Sequence, residues 1–139
     1  MAEMDDFNTK IIKEFRENGG VVGPPFEGAL IVILHTTGAK SGQVRENPVV
    51  AKDLGGGSYA VFASKGGAPT SPDWYHNIVA NPAIEAEIGT ETVPLAARVA
   101  APAEREEIWV PWKTANPGFA EYEAKTSRTI PVVILEPAS

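Results

Sequence analysis

The sequence predicts a mainly β, α+β fold: roughly six short antiparallel strands closed into a small barrel, with short flanking helices. Three observations carry this reading. Short runs rich in β-branched residues recur along the chain, separated by Gly, Pro and Asn turn signals. No helical segment separates the first three runs, whereas a doubly wound sheet needs helical crossovers to return the chain to parallel strands. Finally, 139 residues at 43% hydrophobic content suffice for one core and leave little room for a second.

The elements follow in order. Phe7, Ile11 and Phe15 recur at four-residue spacing after Asp5 and Asp6, and Asn18-Gly19-Gly20 supplies a stop, so residues 1–20 are expected to form an amphipathic N-terminal helix. Residues 21–139 are expected to form a single barrel domain, entered through a Gly- and Pro-rich linker at 21–28. The run at 29–35 is too short and too β-branched for a helix and reads as the first central strand. Residues 44–53 and 58–64 continue an antiparallel meander around Gly55-Gly56-Gly57. Ser71 reads as an N-cap with Pro72 at the first helical position, and Asn81-Pro82 closes that short helix. Ile84, Ala86 and Ile88 alternate with Glu85 and Glu87, and Val93, Leu95, Ala97 and Val99 alternate after Gly89-Thr90, giving a second hairpin. Pro102 opens a helix to about Thr114, Asn116-Pro117-Gly118 breaks it, residues 119–125 form a short aromatic turn, and 130–135 is the last strand. Pro131 is expected near that strand's start or on an edge.

Composition excludes several chemistries. There is no cysteine, which removes disulfides, thiolate metal sites and cysteine nucleophiles, and only His35 and His76 supply imidazoles. Neither has a carboxylate at ligand spacing in its own segment, so no metal site is expected and both read as structural or polar contacts. The serines lack the Gly-x-Ser-x-Gly elbow, which disfavours covalent hydrolysis. The longest apolar run, 29–34, is far short of the roughly 20 residues of a spanning helix, and residues 1–16 lack the basic start and apolar stretch of a signal peptide. The cytoplasm is the expected location.

Charge placement points to a small anion. The chain carries −6 overall, yet residues 36–77 hold Lys40, Arg45, Lys52 and Lys65 against Glu46, Asp53 and Asp73. The basic residues sit on two glycine-rich loops that follow apolar runs, Thr36-Thr37-Gly38-Ala39-Lys40-Ser41-Gly42-Gln43-Val44-Arg45 and Ser64-Lys65-Gly66-Gly67. An acidic protein arranged this way suits a phosphorylated cofactor better than a polyanion, and nucleic acid is not expected. The first loop is not a Walker loop, because Lys40 follows Ala39 instead of glycine. Arg45 can fork two donors onto phosphate oxygens, Lys40 and Lys65 add point charge, and Gly66 and Gly67 allow close backbone approach. Trp74 and Asn77, at the start of the following helix, could face a flat ring, although packing is the commoner fate of a tryptophan. Phe119 and Tyr122 share a face that either packs as a lid or presents a phenol to a reducible substrate. Lys125 and Arg128 read as solvated charges near a helix end.

On four of these motifs the chain resembles the deazaflavin-dependent nitroreductase and F420-dependent quinone reductase family: residues 34–42 with Arg45 and Pro48, residues 64–67, residues 72–77, and the tail from Tyr122 to Val132. The resemblance runs from about Leu30 to Leu135 and implies an actinobacterial, flavin-reductase-like split β-barrel of the FMN-binding type, with coenzyme F420 as cofactor. It implies that Lys40, Arg45, Pro48, Ser64, Lys65, Gly66, Gly67, Trp74 and Asn77 bind the deazaflavin cofactor, with the basic residues on its phosphate and tail carboxylates. It also implies hydride transfer to an electrophilic acceptor, with Phe119 and Tyr122 against the substrate and Tyr122 as the catalytic phenol. Where the family often has a further tyrosine, this chain has Phe119, which weighs against nitro-aromatic compounds and favours a quinone.

The expectation is therefore an F420-dependent oxidoreductase acting on a quinone-like or other conjugated acceptor. Two alternatives stand beside it, an FMN-binding reductase on the same barrel and a non-catalytic F420 carrier. The N-terminal helix permits at most weak peripheral contact at the inner face of the plasma membrane, since the acidic charge opposes binding to anionic lipid.

Overall fold

The computed structural model describes residues 2–22, 30–64 and 71–138. Among these, the chain forms α1 (Ala2–Glu17), β1 (Ile31–Thr37), β2 (Val44–Gly55), β3 (Ser58–Phe62), α2 (Asp73–Ala80), β4 (Ala83–Ile88), β5 (Glu91–Val99), α3 (Pro102–Ala115), α4 (Pro117–Lys125) and β6 (Val132–Pro137). The strands close into a barrel in the order β1-β2-β3-β6-β5-β4, and every neighbouring pair is antiparallel. The expected mainly β barrel is thus what forms. Residues 23–28 of the expected linker lie outside the described residues, as does the side chain of Phe7 in the helical stripe.

Strand alternation explains which residues sit where. Val32 and Leu34 of β1, Val61 of β3, Ile84 and Ala86 of β4, Leu95 of β5, and Val133 and Leu135 of β6 fill the barrel interior. The uninterrupted apolar run of β1 exists because its other face is covered too. Ile31 and Ile33 point outward and pack with Ile11 and Phe15 of α1 and with Val22. The outward residues of β3 and β6, Ala60, Phe62, Val132 and Ile134, meet Trp109 of α3, with Trp112, Phe119 and Tyr122 packed against them. Strands covered on both faces read as continuous hydrophobic runs, while β4, whose Glu85 and Glu87 leave the core, keeps its alternation.

The β2–β3 turn falls on the expected glycines, and two helix boundaries differ from the sequence reading. The β2–β3 turn uses Gly55, Gly56 and Gly57 at φ of 86°, 64° and 84°, a left-handed run that glycine adopts without Cβ strain. Helix α2 starts at Asp73 with Pro72 in the cap position, so Ser71 is not the cap, and its hydroxyl accepts a bond from Arg128 instead. Residues 117–125 form the continuous helix α4 where a short turn was expected. Pro131 precedes β6, so its missing N–H costs the sheet nothing, and its carbonyl accepts from Ala63 N–H at 3.0 Å. No helix among the described residues is long and apolar enough to cross a membrane.

A charged cluster fastens α1 to the barrel. Arg16 donates to Glu87 at 2.6 and 2.9 Å and to Glu46 at 2.9 Å, while His35 Nε2 lies 2.7 Å from Glu87. His35 makes the polar contact expected of it. Its partners come from neighbouring strands, which local spacing does not reveal. Donor atoms of His35, Glu46 and Glu87 lie within 4.8 Å of one another, and the Arg16 guanidinium supplies the positive charge they share.

The hydrogen bonds from Arg16 push the Glu87 carboxyl from its ordinary 4.5 down to about 2. A depressed acid stabilises the docked helix fully above its unfolded value and loses that contribution as pH falls through the folded value. Hydrogen exchange across residues 9–17, corrected for its intrinsic pH dependence, should accelerate as pH is lowered from about 5 to about 2. The acid-dependent step should vanish in Arg16→Ala, and its persistence would show that another group holds the helix.

Candidate functional site

The β1–β2 turn is built by short-range bonds that leave its cation pointing outward. Gly38 N–H donates to Gln43 O at 2.7 Å, Gly42 N–H to Gly38 O at 2.9 Å, and Gln43 N–H to Ser41 Oγ at 3.2 Å. A Cβ at Gly38 would lie 2.5 Å from Ser41 Oγ, so a larger residue there requires the Ser41 hydroxyl to turn away and give up its bond to Gln43 N–H. Helix α2 then clasps the turn from the side. Asn77, 7% exposed, accepts from Ala39 N–H at 3.0 Å and donates to Thr36 Oγ1 at 3.1 Å. Asn81 Nδ2 adds a longer contact to Thr37 O at 3.4 Å. Both ends of the Asn77 amide are thereby consumed, one of them by the residue directly before Lys40.

Between this turn, the start of α2 and the body of α1 lies an open cleft of about 1090 Å³, lined by Lys40, Arg45, Asp73, His76 and Asn77 and walled by Thr9 and Ile12. Lys40 and Arg45 are exposed and, among the described residues, form no ion pair. Glu46, beside Arg45 in sequence and also on the cleft, already receives Arg16 at 2.9 Å. The cleft therefore presents two uncommitted cations, one a guanidinium able to fork onto a phosphate or carboxylate, next to a rigid turn.

A second group of residues lies on α4, outside the lining of the cleft. Tyr122 meets Phe119 edge-on at 5.4 Å, and Phe119 in turn contacts Trp112 at 5.4 Å and Phe62 at 5.6 Å. Glu123, the next residue along, fixes this helix to α3 by accepting from Trp109 Nε1 at 2.6 Å and Lys113 Nζ at 2.7 Å. The Lys113 ammonium holds the Glu123 carboxyl below its usual range. Among the described residues the Tyr122 phenol has no hydrogen-bond partner, and Lys125 Nζ lies 5.9 Å from its ring centre. The helix is pinned while its phenol is left free to serve another group.

The architecture is shared with known proteins. A family model described as F420H(2)-dependent quinone reductase matches residues 9–137. The chain belongs to that family. It is 38% identical over 127 residues to an F420H(2)-dependent quinone reductase of Mycobacterium tuberculosis, covering 87% of this chain and 83% of that one. Among solved structures, an F420-H2 dependent reductase, FDR-A, superposes with a TM-score of 0.69 at 43% identity, covering 84% of this chain and 97% of the other. A structure described as a domain-swapped dimer superposes at 0.70 with 39% identity, covering 97% and 98%. As a member of this family the protein is an oxidoreductase that uses F420, and the donor set on the cleft fits that group, whose phosphate and carboxylates call for unpaired cations.

Within this F420-dependent reductase the structure sorts the expected site residues into three places. Lys40, Arg45 and Asn77 meet on the cleft. Phe119 and Tyr122 sit together on α4 and do not line it. Trp74 is 6% exposed and packs into the barrel core, and Pro48 lies opposite Ile33 in the part of β2 that precedes its pairing with β3 at Ala51. Ser64, 7% exposed, follows β3, and its carbonyl accepts from Arg128 at 2.9 Å. Lys65, Gly66 and Gly67 lie outside the described residues. Sequence reasoning missed His76 as a cleft residue and Arg128 as anything more than a solvated charge. The partners of Arg128 are 57 to 65 positions away, beyond any local signal.

The clasp gives a stability test. Asn77→Ala strands the Thr36 hydroxyl and the Ala39 N–H, and should cost about 1–3 kcal/mol in urea unfolding. A variant as stable as the parent would mean that the two groups find other partners and that the turn does not depend on α2.

Proposed function

We propose that the cleft between the β1–β2 turn and α2 takes the anionic part of F420, and that the protein reduces a quinone placed against the aromatic face of α4. The observation that carries this reading is the pair of exposed cations, Lys40 and Arg45, unpaired among the described residues and flanking a turn held rigid by Asn77. Arg45 would fork onto the phosphate, with Lys40 adding charge along the tail. Ser64, Lys65, Gly66 and Gly67 would complete the cofactor contacts from the second loop, and Asn77 would serve first by shaping the turn, to which each end of its amide gives one bond. Trp74 and Pro48 would act through packing beneath the site.

When bound, reduced F420 supplies a hydride to the acceptor. The chain's own contribution is orientation, exclusion of water and a proton. Phe119 and Tyr122, half-buried on α4 and backed by Phe62 and Trp112, offer an apolar face for a quinone ring, and the Tyr122 phenol is suited to donate to the quinone oxygen on which negative charge develops. The quinone is favoured over nitro-aromatic acceptors by the family and by Phe119 in place of a second phenol. We further propose a cytoplasmic protein with at most weak peripheral membrane contact, supported by the net charge of −6.

Two variants test the assignment. Lys40→Ala combined with Arg45→Ala should weaken F420 binding by about a hundredfold and flatten its salt dependence, with circular dichroism unchanged. Undiminished affinity would remove the cleft from the account. Tyr122→Phe should lower kcat for a soluble quinone by about tenfold or more while leaving F420 affinity near that of the parent. Parallel loss of both would reassign Tyr122 to packing.

A further inference from the structure

The cleft that presents Lys40 and Arg45 also carries opposing charge. Its lining includes the carboxylates of Glu46 and Asp73, so its Lys, Arg, Asp and Glu side chains taken alone are formally neutral. Asp73 stands in the first turn of α2, where the positive end of the helix dipole offsets part of its charge. Glu46 has no such help from its own strand. It sits on β2 opposite His35, and the two share the outward barrel face that Ile31 and Ile33 turn toward α1.

The cancelling charge comes from α1. Thr9, Ile12 and Arg16 follow one another at helical spacing, so the stripe that walls the cleft with Thr9 and Ile12 reaches Glu46 with Arg16. Arg16 Nη2 donates to Glu46 Oε2 at 2.9 Å and to Glu87 Oε2 at 2.6 Å, and Nε donates to Glu87 Oε1 at 2.9 Å. Glu87 does not line the cleft, and its side chain, 15% exposed, has His35 Nε2 2.7 Å away as a further partner. The Glu46 side chain is 40% exposed and does line the cleft, so of the two carboxylates it is the one an anion there would meet. With the guanidinium on it, Glu46 no longer opposes Arg45, the residue before it.

We infer, on the cofactor reading of the preceding subsection, that Arg16 is a positioning residue for the anionic cofactor: it withdraws the Glu46 carboxylate from the cleft and so leaves Lys40 and Arg45 in excess. Arg16 does not touch the cofactor. It acts through Glu46, and its own charge is what Glu46 requires. Docking of α1 thereby completes the cleft twice, with Thr9 and Ile12 as a wall and with Arg16 as a counter-charge.

Titrations of the intact protein with F420 and, separately, with inorganic pyrophosphate test this. Arg16→Ala should weaken F420 binding by about tenfold, since a bared carboxylate repels an anion across a cleft only partly screened by water. In a Glu46→Gln background the same substitution should cost about twofold or less, because the charge to be cancelled is gone. Arg16→Lys, which keeps the charge without the fork, should stay within about threefold of the parent. Undiminished affinity in Arg16→Ala, equal losses in the two backgrounds, or a lysine variant as weak as the alanine one overturns the inference, and equal losses would assign Arg16 to holding the α1 wall alone. If the parent binds pyrophosphate with the expected pattern across the variants but does not bind F420, the cofactor reading falls and the role of Arg16 toward an anion stands. If the parent binds neither, both fall.

Discussion

Closure of the barrel through β6 is the constraint on which the rest depends. This last strand pairs with β3 on one side and β5 on the other, so the final residues complete a sheet begun near residue 31. Two consequences follow for function. The connection leading into β6 passes the end of β3, which puts Arg128 and Pro131 against Ala63 and Ser64. The outward faces of β3 and β6 form one apolar surface, and α3 and α4 pack on it, fixing the helix that carries Tyr122. Without that pairing, neither the end of β3 nor the phenol has a defined place.

Electrostatics in this acidic protein are organised by subtraction. Arg16, Arg98, Arg105 and Lys113 are all engaged by carboxylates, each on a wall or seam of the fold. Arg98, for instance, ties β5 to Glu104 of α3 and Glu136 of β6, and Arg16 ties α1 to Glu87 and Glu46. Exposed pairs of this sort contribute little stability individually, but they decide which charges remain available. Lys40 and Arg45 are left without a carboxylate among the described residues, in a chain whose net charge is −6. Free positive charge in such a background is a local, directional feature, and it lies beside the turn that Asn77 holds.

The barrel was legible in the sequence because each strand announces its burial. β4 and β5 alternate, with Ile84, Ala86, Leu95 and Ala97 facing inward, while the unbroken run of β1 signals cover on both faces. The cleft was partly legible, because Lys40 and Arg45 stand on a glycine-marked turn whose geometry is local. Asn77 was singled out as a ring contact, and the structure gives it in addition the bonds that hold the turn. Its position on the helix was readable, but the burial that commits both ends of its amide arises only when α2 packs against β1. Arg128, His35 and the α1 anchor were illegible for one reason. Their partners are brought in by strand register and chain closure, and no spacing along the sequence encodes which carbonyl or carboxylate arrives.

The proposed function turns on selective recognition of an anionic deazaflavin by the Lys40–Arg45 cleft. The most direct measurement is a fluorescence titration of the purified protein with F420 and, in parallel, with flavin mononucleotide, each at low and at moderate salt. The account requires tight binding of F420, clear preference over flavin mononucleotide, and an affinity that weakens as salt screens the two cations. Equal binding of both cofactors, or F420 binding indifferent to salt, would contradict it.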